Sequence, residues 1–125
     1  MILLLDAHAL VWWLADAPRL SPVARGAIAD AANDVVVSAA TVWELAIKRS
    51  AGKIKLADDL AGAIEAAGFS GVPVTMVDAE VAAALPPHHR DPFDRMLVAQ
   101  ALRLGAAIVT RDRLLEAYGA PILPA

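Results

Sequence analysis

Residues 2–15 read ILLLDAHALVWWLA, and the change of pattern at Asp6 decides the fold. ILLL is wholly apolar, as expected of a strand covered on both faces, and such strands belong to parallel sheets wrapped by helices. Past Asp6 the apolar residues continue at helical length through Trp12, Trp13 and Leu14. A strand that ends on an acid and passes straight into a helix opens an α/β unit.

The same alternation recurs along the chain. Ser21-Pro22 supplies a capping hydroxyl and a proline at the first helical position, for a helix to about residue 32. VVV at 35–37 is the second strand, and Ser38 caps a helix ending near Gly52. Asp58-Asp59 opens a helix closed by Gly68; PVTMV at 73–77 is expected as a third strand, with a helix from Asp78 to about Leu85. Pro86-Pro87 ends that helix, since proline cannot continue the hydrogen-bond ladder. Asp91-Pro92 starts a strong helix to Leu104, stopped by Gly105, and AIV at 107–109 is the fourth strand. A helix over 113–118 and an edge strand PIL at 121–123 complete the chain. The expectation is an α/β fold, a parallel four- to five-stranded sheet flanked by helices, in one domain over residues 1–125.

Composition narrows the chemistry. With no cysteine there is neither a disulfide framework nor a thiolate zinc site. Residues 1–15 lack a basic start and are interrupted by Asp6, so neither a signal peptide nor a membrane span is expected, and the cytoplasm is the default location. The net charge of −3 argues at first against nucleic acid. Yet four of the eleven Lys and Arg residues, Arg90, Arg95, Arg111 and Arg113, crowd around the acids of two short segments. Such a mixed site suits a phosphate backbone beside bound cations, and ordinary surface ion pairs explain it equally well.

In parallel sheets, ligands sit beyond the carboxyl ends of the strands. Asp6 and Asp112 fall there, after strands one and four, and each also has a plain role as a helix cap. Asp94 sits at the third helical position after the cap Asp91, where an acid can accept from the cap residue's amide and favour the helix dipole. Glu44, in TVWELAIK, has Lys48 four residues on as an ordinary partner. Individually each acid reads as structural. Together they could place carboxylates on one rim, where crowding protonates some of them unless a cation compensates, and an all-oxygen set suits magnesium or manganese. Such ions serve phosphodiester hydrolysis. His8, His88 and His89 do not form a ligand set, and the His88-His89 pair is expected to lie exposed in a loop.

Four segments carry a family resemblance: MILLLDAHALVWWL, SAATVWELAIKRSAGKIKL, LPPHHRDPFDRMLVAQAL and IVTRDRLLEAYG. In order and spacing the chain resembles the PIN-domain ribonuclease toxins of the VapC type, over nearly its whole length. The resemblance implies a magnesium- or manganese-dependent endoribonuclease whose acidic quartet falls on Asp6, Glu44, Asp94 and Asp112, supported by Thr110. It also implies a homodimer and a small VapB-like antitoxin that occupies the active-site groove. Ala7 departs from the threonine or serine often found there. Arg95 and Arg111 are candidates for RNA phosphates or for pairing with the acids. Two competitors remain: a PIN module that binds RNA or a partner without cutting, and a DNA nuclease or phosphohydrolase on the same acids.

Overall fold

The computed structural model describes residues 1–125. Its elements run β1 (Ile2–Leu5), α1 (Ala7–Leu14), α2 (Pro22–Ala29), β2 (Asp34–Ser38), α3 (Ala39–Ser50), α4 (Leu60–Ala66), β3 (Ser70–Val72), α5 (Met76–Ala84), α6 (Pro92–Leu104), β4 (Ala107–Thr110), a 3-10 turn (Arg113–Tyr118) and β5 (Ile122–Pro124). The five strands form one sheet in the order β3-β2-β1-β4-β5, parallel throughout. The chain moves outward from β1 to β2 and β3, then crosses to β4 on the other side of β1. The strand order therefore reverses between β1 and β4, the place where open parallel sheets bind ligands.

Alternation along β1 divides the core. Leu3 and Leu5 point into a cluster with Leu10, Ile28, Leu45 and Ile64, from α1 to α4. Leu4 points the other way, onto Leu97, Val98 and Ile108, where α6 covers the sheet. All three leucines are inaccessible to solvent, which is why this strand reads as an unbroken apolar run. No helix is long and apolar enough to cross a membrane.

One strand lies elsewhere than the sequence suggests. The third strand is Ser70–Val72, and residues 73–77 pass from a loop into α5. Thr75 and Asp78 cause the difference. The Thr75 hydroxyl accepts from the Asp78 amide and the Asp78 carboxylate accepts from the Thr75 amide, each at 3.1 Å, a reciprocal cap that starts the helix at Met76. Asp78 is accordingly not a solvated acid at a helix start. It is buried and receives two bonds from Arg103, at 2.7 and 2.9 Å, which hold its pKa below the ordinary value. The expected helices near 22–32 and 113–118 are also adjusted, the first ending at Ala29 and the second forming a 3-10 turn.

Helix α6 is sharply defined at both ends. Asp91 caps it, accepting from the Phe93 amide at 2.8 Å and more weakly from the Asp94 amide at 3.4 Å, and Pro92 occupies the first turn. Gly105 ends it in the left-handed region at φ 64°, a conformation that strains any residue with a Cβ. Replacing Asp91 with alanine should cost about 1 kcal/mol. In thermal unfolding that should appear as a midpoint lowered by about 4 °C.

Candidate functional site

Asp6, Glu44, Asp94 and Asp112 line a single cavity of about 350 Å³, together with Ala7, His8, Lys48, Asp91 and Arg111. Sequence-distant segments meet here because of the strand order. Asp6 follows β1, Asp112 follows β4, and the Asp6 amide donates to the Val109 carbonyl at 3.1 Å, which clamps the two strand ends together. Glu44 arrives on α3 and Asp94 on the first turn of α6.

The capping roles foreseen for Asp6 and Asp112 are real, and each occupies one oxygen. Asp6 Oδ1 accepts from the Ala9 amide at 2.8 Å at the start of α1. Asp112 Oδ1 accepts from the Leu114 amide at 3.0 Å at the start of the 3-10 turn. The second oxygen of each is not used by the cap; on Asp112 it meets His89 Nε2 at 2.5 Å. Thr110 ties the pair together: its hydroxyl accepts from the Asp112 amide at 3.0 Å and hydrogen-bonds the Asp6 carboxylate. Glu44 Oε2 meets Lys48 Nζ at 3.1 Å, which leaves Oε1 without that partner.

Asp94 differs from the other two aspartates. The amide of the cap residue Asp91 does not reach Asp94; it donates to His89 Nδ1 at 3.0 Å. The carboxylate at the third helical position therefore has no capping duty. Nor does the helix dipole keep it ionised. Burial, followed by the Asp91 charge and then those of Asp6 and Glu44, pushes its pKa up to about 7 against the opposing influence of His89. Asp6 is also raised, first by burial, with the Thr110 and Ala9 hydrogen bonds working against the shift.

His89 is the residue that sequence reasoning missed. It is half-buried rather than loose in a loop, and its Nε2 lies 2.5 Å from Asp112 Oδ2 and 3.3 Å from Asp94 Oδ2. Because Nδ1 accepts an amide proton, the ring proton resides on Nε2, which donates to Asp112. The placement is built from afar. The Tyr118 hydroxyl accepts from the His89 amide at 2.8 Å and donates to the Pro86 carbonyl at 2.7 Å. No local pattern signals this, since the partner lies 29 residues away. His88 is exposed, as expected, with its ring edge-on to Tyr118.

The two arginines proposed for phosphate or acid pairing are placed differently. Arg95 donates to five carbonyl oxygens, of Ala82, Ala83, Leu85, Pro86 and His89, and so fastens the end of α5 and the following loop to α6. It does not line the acidic cavity. Arg111 does, but its guanidinium bonds the carbonyls of Arg19 and Ala125 and lies 4.4 Å over the Trp12 ring. Trp12 also stacks on His8, while Trp13 packs on Phe69. The exposed tryptophan is Trp43, 65% accessible, which was not singled out.

The ligand atoms of His89, Asp94 and Asp112 lie within 4.8 Å of one another. With Nε2 protonated, the imidazole is a donor and not a ligand in this arrangement. The inner donors are then carboxylate oxygens alone, a set that fits a hard divalent cation.

The sequence places this fold and cavity in a known group. The PIN domain family matches residues 3–121, and the chain belongs to that family. It is 36% identical over 121 residues to Ribonuclease VapC22 of Mycobacterium tuberculosis, spanning 94% of this chain and 92% of the relative. It is thus a PIN domain of the VapC type. Among solved structures, VapBC2 from Rickettsia felis, bound to a DNA fragment from their promoter, aligns with a TM-score of 0.67 at 13% identity, over 99% of this chain and 98% of that one. FitAcB from Neisseria gonorrhoeae aligns with a TM-score of 0.64 at 20% identity, over 99% and 97%. PAE2754 from Pyrobaculum aerophilum gives 0.62 at 20%, over 98% and 83%. At these identities the structures establish the fold.

The acid cluster has a measurable cost in protein freed of divalent ions. Asp94 holds its proton in the folded state up to about pH 7, whereas an unfolded chain releases it near 3.8. The folded state binds more protons between those values, so stability should fall as pH rises through that window and level off above it. Thermal unfolding in chelator should show this decline. Asp94→Asn should flatten most of it and should melt above the wild type at pH values beyond the window.

Proposed function

We propose that this chain, as one PIN domain over residues 1–125, is a magnesium- or manganese-dependent endoribonuclease, the toxin of a pair silenced by a VapB-like antitoxin. The observation that carries the reading is Asp94, a carboxylate buried against three other acids with no helix-capping task to explain it. The relative named as a ribonuclease supports the substrate class. The VapB- and FitA-containing neighbours support an antitoxin partner.

Asp6, Glu44, Asp94 and Asp112 would hold the metal. When bound, it supplies charge compensation, an activated water and stabilisation of the transferring phosphoryl group. The chain's own groups do the rest. Glu44 Oε1, free of Lys48, orients the attacking water. Thr110 keeps Asp6 and Asp112 in register, and His89 Nε2–H fixes the Asp112 carboxylate. An exposed apolar face formed by Trp43 and Val74, with Met96 beside it, supports a protein partner, either a second copy or the antitoxin. A cytoplasmic location accords with this role.

Purified protein should cut RNA with manganese or magnesium, stop in chelator and resume when the ion is restored. Asp94→Asn should lose at least the roughly 10–100-fold that even an outer-shell change costs, with the fold intact by circular dichroism. Undiminished cutting by that variant would sink the mechanism. A companion measurement concerns His89. Manganese binding followed by electron paramagnetic resonance should weaken by about tenfold in His89→Ala. His89→Gln, whose amide nitrogen can replace the Nε2 donor, should recover part of that loss.

A further inference from the structure

A second groove opens from the acidic cavity. It encloses about 490 Å³ and shares Glu44, Lys48 and Asp91 with the acid site, so the two adjoin. Its other walls carry Lys53, Arg90 and Phe93. Lys53 and Arg90 are exposed and take part in none of the molecule's ion pairs. In a chain of net charge −3, Lys48, Lys53 and Arg90 outnumber Glu44 and Asp91 in this lining, which makes the groove locally positive beside a negative site. Arg111, which also lines the acid cavity, is occupied by carbonyls and by Trp12.

The groove also has an aromatic wall. Phe93 is partly buried, and its ring is braced edge-on by Trp43 at 5.3 Å between centroids. A fixed aromatic face beside a row of cations is how proteins bind unpaired nucleic acid: cations follow the backbone and the ring stacks a base. A duplex would keep its bases paired and present only phosphates.

We infer that this groove is a subsite for single-stranded RNA on one side of the scissile phosphate. Lys53 and Arg90 hold the flanking backbone phosphates, and Phe93 stacks the base between them and the acid site. This rests on the nuclease reading and extends it to residues that do not touch the reacting atoms. It also separates binding from cutting, since none of the three residues belongs to the acid cluster.

The test uses the full chain carrying Asp94→Asn and a fluorescein-labelled, unstructured oligoribonucleotide, followed by anisotropy across a salt titration. Adding Lys53→Ala and Arg90→Ala should weaken binding about tenfold. The slope of log affinity against log salt should shrink by roughly 0.7 for each lost cation. Phe93→Leu should weaken binding about fivefold or more with the slope unchanged. Arg25→Ala, which removes one charge from α2 and outside the lining of the groove, should leave the isotherm within about twofold.

Unchanged affinity and slope in the Lys53 and Arg90 variants would overturn the assignment, as would an equal effect of Arg25→Ala or no RNA binding at all. Competition by polyglutamate as strong as by RNA, with Phe93→Leu silent, would assign the groove to an acidic peptide and overturn it as well. Both cation positions are exposed and unpaired, so their variants keep the test valid if Phe93→Leu unfolds. A wild type that leaves RNA uncut with manganese would defeat the nuclease reading alone; the subsite stands if these variants still shift the isotherm.

Discussion

Parallel pairing of β1 with β4 is the constraint on which the site depends. The bond from the Asp6 amide to the Val109 carbonyl brings together the ends of two strands that are about a hundred residues apart in the chain. Both strands end on a segment that needs a cap, and both use aspartate for it. Two carboxylates therefore approach at a switch point for reasons of backbone hydrogen bonding alone. Thr110 joins them, and α6, packed on the far face of the sheet, adds Asp94. Burial then makes the resulting charge costly, as the upward shifts of Asp6 and Asp94 show. Four acids under those conditions have the chemistry of the cation site proposed above.

The second requirement is a rigid approach to α6. The loop from Pro86 to Asp91 has no regular structure of its own. It is held by Arg95, which bonds the loop's own Pro86 and His89 carbonyls, and by the Tyr118 hydroxyl, which bonds the loop at two points. Arginine is suited to this, with five donors in a planar fork. The consequence is that His89 reaches Asp112 in a single tautomer, with its Nδ1 engaged by the helix cap. A residue two positions before a helix cap thereby orients an acid on the other side of the cavity.

Much of the fold was legible in the sequence. The apolar blocks of β1, β2 and β4 are unmistakable because both faces of those strands are covered. The third strand was not, because Ser70–Val72 lies at the sheet edge and carries little apolar signal, while the β-branched run over 73–77 looks more like a strand than it is. There the Thr75–Asp78 reciprocal cap outweighs strand propensity. Asp6 and Asp112 stood out by their positions at strand ends, Glu44 and Asp94 by helices bordering the same rim, and the resemblance selected these four. His89 escaped because its place depends on Tyr118, a contact no periodicity records. Neither role weighed for Arg95, phosphate or acid pairing, anticipated the carbonyls of α5 and the following loop that it bonds. The sign of the shift at Asp94 was hidden too, since the dipole of a helix is local whereas burial among other acids is a property of the assembled fold.

The divided use of the carboxylates bears on how divergent copies of this fold should be read. On the proposed reading an aspartate at position 6 or 112 does two jobs, and selection for a stable helix start would retain it after every trace of catalysis had gone. Position 94 has no such shelter, since the cap of its helix is Asp91 and the amide of that cap is taken by His89. In a lineage that ceased to need the chemistry, Asp94 would drift first, relieved of a charge that the folded chain tolerates poorly. The acid with no structural employment is therefore the one whose survival reports a working site.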